Sequence, residues 1–337
     1  MDLLFWTAVV AVAAFLIQIF RLIRADGDLS LMWAEAFGAS PASALQGKVV
    51  WLTGASGGIG EQLAYQLAEC GCRLVLSSRK EDELERVKKT CLERSNLSSA
   101  DVLVLPLDLL DVDSHKECLQ SVLRHFGKVD VLLNNGGRSQ RSLFLDTSLA
   151  VIRSLMELNY IGTVSLTLLV LREMVQCGHG TVVVVNSIAG ICGVPLASGY
   201  CASKHALMGL CDSLQIELGR QPGIKILSVC PGPVQSNIVK NAYAEELGKP
   251  ATHSKNEEHK MATTRCARLI LIAMANNLLE TWICSQPLLL YPYMLQYLPS
   301  LCRAISLMFG QRRIDNFRSG LDADDSFMRS TCKTKST

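Results

Sequence analysis

The chain has little net charge to offer a polyanion. Thirty-three lysines and arginines stand against 31 aspartates and glutamates, leaving +2 over 337 residues, so there is no basic footprint for nucleic acid. It also lacks the spacings that organise a metal site or a disulfide framework. Its thirteen cysteines are scattered, odd in number and without a Cys-x-x-Cys pair, and read as small buried hydrophobes. His115, His125, His179, His205, His253 and His259 show no ligand spacing, and no metal is expected. Internal repeats and low-complexity tracts are absent, and no Pro/Ser/Gly linker interrupts residues 47–286. One domain therefore suffices there.

What is present is a series of short apolar runs separated by longer helical stretches. The runs are Val49–Leu52, Arg73–Ser77, Val102–Leu107, Val129–Leu133, Thr181–Val185, Lys225–Val229 and Thr281–Cys284. Continuous Val and Leu, as in Val182–Val185, fit strands buried on both faces of a parallel sheet. The first run passes directly into Thr53-Gly54-Ala55-Ser56-Gly57-Gly58-Ile59-Gly60 and then a helical pattern from Glu61. Glycines at such a turn let the backbone approach a pyrophosphate, which rests on the helix N-terminus. The spacing is Gly-x-x-x-Gly-x-Gly, not the more common Gly-x-Gly-x-x-Gly. The expected fold is α/β, a Rossmann-type doubly wound parallel sheet of about seven strands, with Gly54, Ser56, Gly58, Ile59 and Gly60 at the cofactor.

Further along, Tyr200 stands four residues before Lys204, so both side chains share one helix face. A neighbouring ammonium lowers the pKa of a phenol, bringing it toward the range useful for proton transfer. By itself the spacing also fits a solvated helix face.

The glycine loop and the Tyr-x-x-x-Lys pair, in this order, resemble the short-chain dehydrogenases/reductases over roughly residues 47–286. Asn134-Asn135-Gly136-Gly137 matches that family's Asn-Asn-Ala-Gly motif with Gly in place of Ala, a change expected to leave the backbone intact. Asn159, Ser187 (thirteen residues before Tyr200) and Pro231-Gly232 match its other motifs. The resemblance implies a tetrad of Asn159, Ser187, Tyr200 and Lys204. Ser187 would hydrogen-bond a substrate carbonyl and Tyr200 would protonate it. Lys204 would bind the nicotinamide ribose, and Asn159 would hold a relay water. Asp108, Asn135 and Ser236 are implied at the cofactor, with Tyr200 and Lys204. Two rivals stand beside this reading. A silent scaffold would be expected to lose a tetrad member or the glycine loop, and a sugar-nucleotide epimerase would need a larger substrate domain.

NADP is the expected cofactor. The second strand ends Leu76-Ser77-Ser78-Arg79-Lys80 with no acid until Glu81, whereas an NAD site places an acid there. Arg79 offers a planar fork for a phosphate, with hydroxyls from Ser77 and Ser78; otherwise it merely starts a surface helix.

Residues Leu3 to Phe20 are apolar except for Thr7 and Gln18, and Arg21 and Arg24 follow. This reads as an uncleaved membrane anchor over 1–24, followed by a linker over 25–46. The basic residues after the run predict a domain on the cytosolic side of the endoplasmic reticulum, and the terminal Lys333-Thr334-Lys335-Ser336-Thr337 resembles a dilysine retrieval signal. Residues 287–337 form an apolar, then polar, extension. Its prolines 287, 292 and 299 argue against a second span, leaving membrane-surface packing, a substrate-entrance lid or a buried extension. A lipophilic carbonyl, such as retinal or a steroid ketone, is the expected substrate, with a generic xenobiotic carbonyl as the alternative. A homo-oligomer is left open.

Overall fold

The structure, a computed structural model, describes residues 23–236, 238–249 and 260–320, with scattered positions between 5 and 20. The expected anchor over 1–24 and the terminal 321–337 fall largely or wholly outside the described residues.

Branched residues build seven strands: β1 Val49–Thr53, β2 Arg73–Ser77, β3 Val102–Val104, β4 Val131–Asn134, β5 Gly180–Val185, β6 Ile224–Pro231 and β7 Glu280–Ile283. They form one sheet in the order β3-β2-β1-β4-β5-β6-β7, parallel throughout. β3 is shorter than the sequence implies. Leu105 and Leu107 still donate to Leu76 O and Ser78 O at 3.0 Å each, so backbone pairing with β2 runs on past the regular strand.

The helices are α1 Leu29–Phe37, α2 Pro41–Leu45, α3 Gly58–Glu69, α4 Glu81–Glu93, α5 His115–Phe126, α6 Leu149–Met156, α7 Gly162–Cys177, α8 Ser198–Glu217, α9 Thr263–Ala275, α10 Leu290–Tyr297 and α11 Pro299–Arg318. Alternation along β1 divides the core. Val50 and Leu52 face α3, α4 and α9 on one side, and Trp51 faces α5, α7 and α8 on the other. A π-helical turn, Glu157–Ile161, joins α6 to α7. The continuous 29-residue helix Leu149–Cys177 is long and apolar enough to cross a membrane by length and composition. Leu166, Val170 and Met174 nevertheless lie in the core beside Trp51 and Leu132, which accounts for their apolarity.

Residues 25–46 are not a linker. Asp28 is buried and holds both ends of a clasp. Its Oδ1 accepts from Ser30 N and Leu31 N at 2.8 and 3.1 Å, capping α1. Its Oδ2 accepts from Thr281 Oγ1 and Trp282 N at 2.7 and 2.8 Å. Arg265 on α9 grips Asp26 with two bonds of 2.8 and 2.9 Å and also binds Glu35. Leu31 and Leu45 are thereby seated in the core. At the other end, α10 stacks Tyr293 on Trp282, ring centroids 4.7 Å apart. α11 lies against the loop after Ser187, so that a Cβ at Gly310 would stand 3.3 Å from Pro195 Cγ. The extension is thus packed, with Leu289 and Cys302 buried while Leu290, Tyr297 and Leu301 stay exposed.

Removing the clasp should weaken the fold measurably. Asp28→Ala loses a helix cap, about 1 kcal/mol, and strands buried donors at about 1–3 kcal/mol. Urea unfolding is expected to show a loss of roughly 2–4 kcal/mol; a change under about 0.5 kcal/mol would show that the clasp does not hold α1.

Candidate active site

The order of strands reverses between β1 and β4, and ligands of such sheets bind beyond the carboxyl ends there. At this point Gly54 adopts φ +66°, a left-handed conformation that favours glycine. A Cβ on Gly60 would lie 2.1 Å from Gly54 O, so helix and loop approach as closely as backbone allows. Asn135 braces the turn, its Nδ2 donating to Thr53 O and Gly54 O at 3.2 Å each. Thr53 Oγ1 accepts from Asn135 N and Gly136 N at 3.0 Å. Asn135, expected at the cofactor, thus acts on the loop itself. The N-cap of α3 is Gly57, which offers no side-chain cap, so the first-turn amides of Gly58, Ile59 and Gly60 have no side-chain partner. Glu61 in that turn is engaged by Arg86 at 2.7 Å and by the Tyr65 hydroxyl at 2.6 Å. Uncapped amides above glycines with no room for Cβ fit a pyrophosphate.

At the end of β2, Ser77 turns into the core, where its Oγ accepts from Trp51 Nε1 at 2.9 Å. This corrects its expected place among the donors to a ribose phosphate. Ser78 is half-buried; Arg79 is exposed and has no side-chain partner among the described residues. Asp108 Oδ1 accepts from Leu110 N at 3.1 Å, and the turn places Leu109 against Gly136. A Cβ there would stand 2.8 Å from Leu109 Cδ1, the end of a flexible side chain that can turn aside, so the site would accept alanine as well. Ser236 is half-buried in the loop after β6, which is held where Gln235 N donates to Met261 O at 2.9 Å.

The four tetrad candidates converge from β5, α8 and the π-helical turn. Ser187 Oγ accepts from Ala189 N at 3.1 Å and donates to Pro231 O at 3.4 Å; its hydroxyl stands near enough to the Tyr200 phenol to lower that group's pKa. Lys204 Nζ donates to Val185 O at 3.0 Å and lies 5.9 Å from the Tyr200 ring centroid. Asn159 Nδ2 donates to Arg138 O at 2.9 Å and to Ser203 Oγ at 3.0 Å, while Oδ1 accepts from Arg138 N at 2.8 Å. Ser203 Oγ in turn donates to Tyr200 O at 2.8 Å. Gly137 sits between these groups, its virtual Cβ 3.1 Å from Asn159 Oδ1 and 3.9 Å from Lys204 Nζ.

Electrostatics here differ from the sequence expectation that Lys204 lowers the Tyr200 pKa. Burial pushes the Tyr200 phenol up to about 12, against the lowering effect of the neighbouring Ser187 hydroxyl. Burial also lowers Lys204 to about 8. Desolvation is the largest cause of both shifts, and at neutral pH Tyr200 keeps its proton. Among the described residues no three His, Cys, Asp or Glu side chains are placed to hold a metal.

Gln140 is the residue that sequence reasoning missed. It is fully buried. Its Oε1 accepts from Gly199 N at 2.8 Å and Tyr200 N at 3.3 Å, and its Nε2 donates to Ser142 Oγ and Thr147 Oγ1 at 3.0 and 3.1 Å. One clue was available: Ala197 precedes α8 and can supply no cap, so the cap had to come from elsewhere. Gln140→Met keeps the volume without the acceptor. Turnover should fall roughly 10–100-fold, as expected when a reacting group is displaced by a fraction of an ångström to one ångström, with cofactor affinity unchanged. Unaltered turnover would remove Gln140 from the positioning of Tyr200.

Comparison with known proteins agrees with this geometry. Residues 48–247 match the short chain dehydrogenase family. The chain is 54% identical over 329 residues, 97% of each chain, to Dehydrogenase/reductase SDR family member 7 of Homo sapiens. An alcohol dehydrogenase from the archaeon Thermococcus sibiricus, solved with 5-hydroxy-NADP, is 25% identical with a TM-score of 0.62 over 72% of this chain and 97% of that one. A short chain dehydrogenase/reductase from Burkholderia phymatum, solved with NAD, shares the fold at 21% identity and a TM-score of 0.63, over 83% of this chain and 97% of that one. The chain belongs to the short-chain dehydrogenase/reductase family of oxidoreductases.

Proposed function

We propose that the chain is a membrane-anchored, NADP(H)-dependent reductase of lipophilic carbonyls, with retinal and steroid ketones as the substrate class. The observation that carries the reading is the convergence of Asn159, Ser187, Tyr200 and Lys204, with Lys204 Nζ 5.9 Å from the Tyr200 ring centroid and Asn159 joined through Ser203 to the Tyr200 carbonyl. The nicotinamide, when bound, supplies the hydride to the carbonyl carbon. Ser187 donates a hydrogen bond to the carbonyl oxygen, and Tyr200 gives that oxygen its proton. A phenol near pKa 12 holds its proton until the oxygen becomes basic, and an NADP(H) pool kept reduced in cells sets the direction toward reduction. The phenolate formed lies beside Lys204, whose ammonium with a pKa near 8 can return a proton. Each group acts where charge develops. A complete tetrad and an intact glycine cradle count against a silent scaffold.

Membranes carrying the protein should oxidise NADPH faster with retinal or steroid ketones than with small water-soluble carbonyls. Tyr200→Phe should lower that rate roughly 10²–10⁴-fold, the usual size of a lost general acid, with NADPH affinity nearly unchanged. Retained turnover in the variant would sink the tetrad reading; no preference for lipophilic carbonyls would leave the generic-carbonyl alternative.

The cofactor choice rests on Arg79, exposed at the end of β2 and without a side-chain partner among the described residues, with no acid before Glu81. A charge-assisted contact to a phosphate contributes about 1.5–3 kcal/mol. Arg79→Ala should therefore raise the KM for NADPH by roughly 10–100-fold and leave that for NADH nearly constant. Equal effects on both cofactors would remove Arg79 from phosphate recognition.

The anchor reading rests on Leu3–Phe20, and Arg21 and Arg24 after it favour a cytosolic domain at the endoplasmic reticulum. Asn96, in the chain's one acceptor pattern Asn96-Leu97-Ser98, is exposed between α4 and β3 and reports the side directly. Endoglycosidase H should cause no gel shift; a shift would place the domain in the lumen.

A further inference from the structure

Helix α1 presents a bare apolar edge. Leu29, Trp33 and Phe37 recur every fourth residue and are 66%, 68% and 71% exposed, so they form one stripe. Trp33 and Phe37 pack on each other with ring centroids 4.6 Å apart. The opposite face is fixed, Leu31 and Ala34 being buried in the core with residues of α9.

Among the described residues no free charge interrupts this edge. Asp26 and Glu35 are both bound by Arg265, and Asp28 is buried against Thr281 and Trp282. Tyr293 on α10 packs on Trp282, ring centroids 4.7 Å apart, and Trp282 N donates to Asp28, the cap of α1. The exposed side chains Leu290 and Tyr297 of α10 therefore lie on an element joined to the head of α1.

We infer that α1 lies along the bilayer surface, with Leu29, Trp33 and Phe37 at the boundary between headgroups and acyl chains. The inference rests on the anchor reading of Leu3–Phe20. Only eight residues, 21–28, separate that run from Leu29. Even fully extended they reach no more than about 28 Å, so an anchored chain keeps α1 close to the membrane. Tryptophan favours that boundary, and an apolar helix face seated there is a recognised mode of surface attachment. A second copy of the chain is a poorer occupant. Three side chains on a nine-residue helix fall far short of the 20–30 residues a side that stable interfaces use, and the edge carries no free charge to specify a protein partner. Because the Asp28 clasp fixes α1 to β7, seating the stripe also fixes the tilt of the catalytic domain over the bilayer.

The test uses full-length protein reconstituted in phosphatidylcholine vesicles whose acyl chains are brominated near the headgroup. Fluorescence is compared between wild type and Trp33→Phe, an exposed change that leaves the core intact; the difference isolates Trp33. Brominated lipid should remove at least half of that component, and aqueous iodide should barely affect it. A Trp33 component quenched by iodide and not by lipid would overturn the inference, as would one reached by neither, which would mean a protein covers it. Alkaline carbonate washing separates the premise. A chain that stays with the vesicles while Trp33 remains in water defeats only the role of α1; a chain that washes off defeats the anchor and the inference together.

Discussion

The site depends on one bracing contact, where the Asn135 amide ties the carboxyl end of β1 to that of β4. Two carbonyls of the glycine turn, Thr53 O and Gly54 O, accept from Asn135 Nδ2. Thr53 returns the bond by accepting the backbone N–H groups of residues 135 and 136. This locks the turn that starts α3 to the strand that leads into Gly137. From Gly137 the chain reaches Arg138, whose backbone is held at both N–H and C=O by Asn159. Asn159 then bonds Ser203, and Ser203 bonds the Tyr200 carbonyl. Cofactor cradle and proton donor are thus parts of one hydrogen-bonded path, and a buried polar network of this kind rigidifies only when each member is satisfied.

Desolvation governs the chemistry within that frame. In water a phenol and an ammonium titrate near pH ~10 and ~10.4. Buried together, the phenol rises to about 12 and the ammonium falls to about 8, so the two are pushed apart with lysine as the weaker holder. Groups whose environments separate their pKa values can take distinct roles in proton transfer. Here tyrosine is the stored donor and lysine the group that exchanges with its surroundings. The structure attributes the Tyr200 shift first to burial and second to Ser187, which makes the Ser187 contact the main local force holding the phenol within reach of acid–base work.

Much of this was legible in the sequence because it is local. Branched runs named the strands, glycine spacing named the cradle, and a four-residue interval put Tyr200 and Lys204 on one face. What escaped involves partners distant along the chain. Gln140 caps α8 across 59 residues, and nothing in Arg138–Ser142 distinguishes it from a polar loop. Ser77 looked available to a ligand because its hydroxyl direction is set by Trp51 on the neighbouring strand, 26 residues away. Residues 25–46 read as a linker because Asp28 finds Thr281 and Trp282 only in the folded state, more than 250 positions on. The balance between burial and ion attraction at Lys204 is likewise a property of depth, which spacing does not report.

The same clasp connects the chain's entry to its chemistry. Asp28 N donates to Trp282 O at 2.9 Å, placing the start of α1 on β7. One strand inward, β6 ends at Pro231, whose carbonyl accepts from Ser187. Gly232 follows, with a virtual Cβ only 2.4 Å from Cys284 Sγ. A larger side chain there would have to push the Cys284 thiol aside, and Gly232 N donates to Ile283 O at 2.8 Å. The position of Ser187 is therefore transmitted through backbone contacts to the segment that leads out of the domain. Interiors packed this closely move as units and do not deform continuously. A domain held at its N-terminal segment is thus held at its substrate-facing strands as well, and the orientation of the one determines the approach to the other.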